Sequence, residues 1–103
     1  MHAAIADKKD ELAELCRRFG VARLEVFGSA ARGEDFDPET SDADFLVEFS
    51  PHSGLAPFDQ YFDFADALRR SLERPVDLVE SGSIDNPYLR AAIEGSRELV
   101  YAS

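Results

Sequence analysis

Two carboxylates one residue apart, entering an apolar run, constrain this chain more than any other feature. Asp42 and Asp44 stand at the head of Ser41-Asp42-Ala43-Asp44-Phe45-Leu46-Val47. Phe45, Val47 and Phe49 alternate with Leu46 and Glu48, the period-two pattern of a strand. Asp42 and Asp44 then share the face opposite the apolar one, roughly 6–7 Å apart at their Cα atoms for a rise of ~3.3 Å per residue. Carboxylates held like this repel unless a cation lies between them, and Mg²⁺ is commonly held by one or two carboxylates plus substrate phosphates. Aspartate is depleted in strands, and a charge inside one needs a partner or a metal; Asp44, just before Phe45-Leu46-Val47, and Asp77, between Val76 and Leu78, both pose that question. A place for a phosphate is found upstream, in Val26-Phe27-Gly28-Ser29-Ala30-Ala31-Arg32-Gly33-Glu34. Glycine lets the backbone approach closely, and Ser29 offers a hydroxyl and an N–H near the start of a short helix. Taken alone, Gly28-Ser29 also reads as an ordinary strand-to-helix turn with a serine N-cap.

The remaining pattern builds an α/β domain around these two stretches. Residues Ala3 to Phe19 read as a helix with Ile5, Leu12, Leu15, Cys16 and Phe19 on one stripe. Val21 to Phe27 reads as a strand by its β-branched and aromatic content, and Ala43 to Ser50 as a second. Pro57 to Glu73 reads as a helix whose core stripe is Phe58, Tyr61, Phe62, Ala65, Leu68 and Leu72; Phe64 falls off that stripe as an edge contact. Val76 to Val79 is a short third strand. Asn86-Pro87 is an N-cap and first-turn pair, Leu89, Ala92 and Ile93 form one face of the helix that follows, Gly95 closes it, and Glu98 to Tyr101 reads as a last edge strand. The order αβαβαβαβ predicts a small mixed β-sheet of about three to four strands covered by helices, in a single domain spanning residues 1–103.

Composition narrows the classes. With 21 acidic residues against 11 basic, the net charge of −10 argues against direct nucleic-acid binding, which favours a basic stripe. It is compatible with a metal site or a basic protein partner. Seven acids fall within residues 34–48, a stretch without Lys or Arg, and those from Asp35 to Glu39 read as a solvated loop. The single cysteine, Cys16, allows no intrachain disulfide and reads as a core residue. No run is long enough to span a membrane and no signal-peptide core is present, so the expected location is cytoplasmic. His2 and His52 read as exposed bystanders.

Gly28-Ser29 and Asp42-Ala43-Asp44 together, in that order at strand ends and followed by Val76-Asp77-Leu78-Val79, are more specific than either motif alone. In these residues the chain resembles the minimal nucleotidyltransferase (MNT) domains of the DNA polymerase β-like nucleotidyltransferase superfamily. The closing Leu89…Ile93-Glu94…Val100-Tyr101 extends the resemblance over nearly the whole chain. One departure is the twelve residues between Ser29 and Asp42, about two more than is usual in the family, with the excess in the polar Asp35–Thr40 loop.

The resemblance implies a nucleotidyltransferase fold and a set of roles. Gly28 and Ser29 would hold the nucleotide phosphates, Asp42 and Asp44 would bind Mg²⁺, and Asp77 would complete a two-metal site or act as base on the acceptor hydroxyl. Arg32 would neutralise a phosphate or pair with the acidic loop. It further implies an antitoxin that transfers AMP from ATP to a tyrosine of a partner HEPN ribonuclease toxin, in a hetero-oligomer with that toxin. Two alternatives stay open at this point: a binding-only antitoxin with vestigial catalysis, and an enzyme that nucleotidylates a small molecule.

Overall fold

A computed structural model describes residues 2–32, 42–51, 54, 56–83 and 85–103, without the side chains of Ser29, Arg32, Pro57 and Ser83. The expected acidic loop, Glu34 and His52 lie outside the described residues. In chain order the elements are α1 (Ala3–Ala6), α2 (Lys9–Arg18), β1 (Val21–Phe27), α3 (Ser29–Arg32), β2 (Ala43–Phe49), α4 (Pro57–Leu72), β3 (Val76–Glu80), a 3₁₀ turn (Ser81–Ser83), α5 (Pro87–Ser96) and β4 (Glu98–Ala102). The strands form one sheet in the order β3-β2-β1-β4. β1 runs antiparallel to both β2 and β4, whereas β2 and β3 are parallel, so the sheet is mixed as expected.

One face of this sheet carries the main core. Leu24 and Val26 of β1, Ala43, Phe45 and Val47 of β2, and Val76 and Leu78 of β3 pack with Ile5, Leu12 and Cys16 from the N-terminal helices and with Phe64, Ala65 and Leu68 of α4. The other face carries a smaller cluster, in which Ile93 of α5 covers Phe27 and Leu46, with Val79 against them. Alternation along each strand produces both faces, because successive side chains point to opposite sides.

Four local expectations are corrected. The N-terminal helix is two helices, broken at Asp7–Lys8, where the Lys8 N–H bonds the Ile5 carbonyl in a tightened turn. On α4 the buried aromatic is Phe64, at 0% exposure, whereas Phe58 and Phe62 are 72% and 52% exposed. Phe64 wins because partners from two other elements meet it: the rings of Phe19 and Phe49 lie 5.8 and 5.9 Å away, and beside it the Gln60 side chain donates 2.7 Å to the Phe19 carbonyl at the end of α2. Phe58 and Phe62 pair with each other instead, ring centroids 4.6 Å apart and planes tilted by 43°. Gly95 does not close α5; the helix runs to Ser96, and Arg97 caps it through an N–H bond to the Ile93 carbonyl. His2 is no bystander: its Nδ1 accepts 3.0 Å from the Ala4 N–H and so caps α1.

Candidate active site

The first of the predicted acids, Asp42, is exposed and immediately precedes β2. Asp44 is the second residue of β2 and is half-buried. Its register partner on the antiparallel side is Phe27, the last residue of β1, and on the parallel side Asp77 of β3. Register partners point to the same face, so Asp44 and Asp77 stand side by side on neighbouring strands, ~4.8 Å apart in the direction of the sheet hydrogen bonds. This is the face opposite the main core, so both carboxylates have access to solvent.

Asp44 bears the electrostatic consequence. Its carboxyl is raised from the ordinary 3.8 to about 6, first by burial and then by the negative charges of Asp77 and Asp42. A group in this state gains from any cation that neutralises the cluster. The donor set, all carboxylate oxygen, suits a hard cation such as Mg²⁺. Among the described residues no three His, Cys, Asp or Glu side chains are already gathered closely enough to enclose a metal ion. Such a set fits an ion held by one or two carboxylates and completed by substrate oxygens.

Gly28 follows β1 directly, at φ +72°. A Cβ there would lie 2.7 Å from Oδ2 of Asp44, so the carboxylate occupies the space a side chain would need. Glycine is thus required twice, by its left-handed backbone and by the closeness of Asp44. The turn it opens leads into α3, where the Ala31 N–H donates 3.2 Å to the Gly28 carbonyl. Two distant contacts hold this turn. The His2 N–H donates 2.7 Å to the Ala30 carbonyl. The Gly28 N–H donates 3.0 Å to Oγ of Ser96, near the end of α5.

The structure thus brings Gly28, Asp44 and Asp77 together and places Asp42 one residue ahead of β2. Of Ser29 and Arg32 it describes the backbone within α3. Ser96 was missed by sequence reasoning. Its signal was faint, a serine four residues after Ala92 in a last helical turn, and its partner lies 68 residues away. The neighbouring Glu25 is only 5% exposed on the same sheet face, ion-paired with Arg23 at 2.9 Å and with Arg97 at 3.4 Å. These charges, with Leu46, Glu48 and Ser81, line a cavity of about 240 Å³.

A four-stranded mixed sheet with helices, its first strand opening into a Gly-Ser turn against carboxylates on the next two strands, is the α/β nucleotidyltransferase fold. Residues 9–100 match the Nucleotidyltransferase domain family, and the chain belongs to it. The Protein adenylyltransferase MntA of Thermococcus cleftensis is 39% identical over 88 residues, covering 85% of this chain and 81% of that protein. A solved structure provisionally designated a minimal nucleotidyltransferase superposes with a TM-score of 0.73 at 30% identity, over 95% of each chain. A structure of tri-AMPylated Shewanella oneidensis HEPN toxin in complex with MNT antitoxin contains a similar fold, with a TM-score of 0.64 at 18% identity over 95% of this chain and 72% of that one.

Proposed function

We propose that this nucleotidyltransferase is a Mg²⁺-dependent antitoxin that moves AMP from ATP to a tyrosine hydroxyl of a HEPN-domain ribonuclease partner. The observation that carries the reading is Asp44, half-buried against Gly28 with Asp77 on the adjacent strand and its carboxyl raised to about 6. The relatives' names and the HEPN–MNT complex supply the choice of AMP and of a protein acceptor.

Asp42 and Asp44, with Asp77 beside them, would hold Mg²⁺. When bound, it would neutralise charge developing on the transferred phosphoryl group and orient the attacking and leaving oxygens. The turn made by Gly28 and Ser29 would hold the nucleotide phosphates, Gly28 by the course of its backbone, and Arg32 would neutralise one of them. The acceptor oxygen forms a bond to the α-phosphorus while the bond from that phosphorus to the α,β-bridging oxygen breaks, and pyrophosphate leaves. Asp77, the more exposed of the two paired strand carboxylates, would take the hydroxyl proton on a side-chain oxygen.

The test is the intact mass of the partner toxin after incubation with ATP and Mg²⁺. Wild type should add one or more increments of ~329 Da, the AMP unit of nucleotidyl transfer to a hydroxyl, and an Asp42→Ala/Asp44→Ala variant none. A partner whose mass never changes while the complex still forms would make this a binding-only antitoxin. Labelling of an aminoglycoside without any protein partner would point instead to a small-molecule enzyme.

A further inference from the structure

We propose that Ser96 is a positioning residue for the nucleotide-binding turn, setting the path of Gly28-Ser29 from the far end of the chain. The proposal rests on the reading of that turn as the phosphate-holding element. A serine hydroxyl offers one donor and two acceptor lone pairs, and both functions are used here. Oγ donates 2.9 Å to the Ala92 carbonyl, one helical turn earlier, and accepts 3.0 Å from the Gly28 N–H. The first bond fixes the hydroxyl proton, which leaves a lone pair for the glycine amide. The Gly28 N–H is therefore committed to the protein. What glycine contributes to a nucleotide is the course of the backbone and the room for Asp44, and Ser96 maintains both.

Ser96 is itself anchored on either side. Three residues before it, Ile93 is 1% exposed in the cluster with Phe27 and Leu46. One residue after it, Arg97 is ion-paired with the buried Glu25 of β1 and with Glu94 at 3.2 Å. A hydrophobic contact and an ion-pair network thus bring this hydroxyl to the end of β1. Removing it frees the Gly28 amide to seek another acceptor, and the turn shifts against the Asp44 carboxylate that packs on it.

The experiment is calorimetric titration of the chain with ATP in the presence of Mg²⁺, without any partner protein. The variants are Ser96→Ala, Ser96→Thr and, as a control weakened elsewhere in the core, Leu72→Val. Ser96→Ala should weaken ATP about tenfold, the equivalent of one lost interaction of ~1.4 kcal/mol. Ser96→Thr, which keeps the hydroxyl, should bind like wild type, and so should Leu72→Val even with a similarly lowered melting temperature. The proposal is overturned if Ser96→Ala binds ATP like wild type, if Ser96→Thr is as weak as Ser96→Ala, or if Leu72→Val is weakened equally. Should Ser96→Ala not fold, Ser96→Cys, similar in size but a poor hydrogen-bonding group, takes its place under the same criteria. Failure of wild type itself to bind ATP would be a different result: it would overturn the nucleotide reading and this proposal with it.

Discussion

The two faces of the sheet are made by the same strands and obey opposite demands. On β2, Ala43, Phe45 and Val47 are buried in the main core, while Asp44, Leu46 and Glu48 alternate onto the other side. The packed face is apolar and helix-covered, and each residue there gains by being where it is. The open face holds two adjacent aspartates with a third just ahead of the strand, and its partial cover by α5 leaves Asp44 half-buried. A single strand can thus supply stability through its odd positions and tolerate strain at its even ones. The strain is affordable only because the packed face over-determines the backbone.

Substitutions on the two faces should separate these roles. The largest stability effect belongs to the packed face. Phe45→Ala empties a fully buried site and should cost about 3–5 kcal/mol, lowering the melting temperature by on the order of 15 °C or more in thermal unfolding. At the junction of the faces, Gly28→Ala forces a Cβ into left-handed backbone and against Asp44. It should cost about 1–2 kcal/mol, read in denaturant titration, and a neutral result would mean that the turn relaxes freely.

The open face should respond to pH. Because the Asp44 carboxyl sits near 6 in the folded chain against an ordinary 3.8, folding favours its protonated form. That advantage is complete below about pH 4 and is lost as pH rises through about 6. Above this range the ionised group opposes folding by on the order of 1–2 kcal/mol after solvent screening. In metal-free buffer, Asp44→Asn should therefore become more stable than wild type between pH 4 and 7. Parallel melting curves for the two proteins across that range would show that neither burial nor the neighbouring aspartates raise the Asp44 carboxyl. The smallest effect lies outside both faces: Phe62→Ser, on the exposed side of α4, should change unfolding free energy by less than about 0.5 kcal/mol.

The last of these marks the limit of what the sequence conveys about packing. Tyr61, Ala65, Leu68 and Leu72 define the buried side of α4 in any reading, but Phe58 and Phe62 flank them on one side and Phe64 on the other. Helical periodicity alone does not choose between flanks. The choice was made by Phe19, Phe49 and the Phe19 carbonyl, which other elements bring to Phe64 and Gln60. The strands were legible because period-two alternation is local, and β1 begins and ends where its composition places it. Gly28, Asp44 and Asp77 were legible as a group because each breaks a local rule, a glycine or a charge where a strand would have neither. Ser96 breaks no rule in a last helical turn, so nothing in its own neighbourhood marked it.

The turn at Gly28 is clasped from two directions, by His2 through Ala30 and by Ser96 through Gly28 itself. In terms of folding order, contacts of this separation would make the turn a late product. Its nine-residue motif can be synthesised, and β1 can pair with β2, long before Ser96 exists to meet it. Contacts so far apart in sequence close only after the entropy of the intervening loop has been overcome. A nascent or partly unfolded chain would carry every residue of the Gly-Ser motif and yet lack its shape, so that under the proposed function competence to hold a nucleotide would arrive together with completion of the fold.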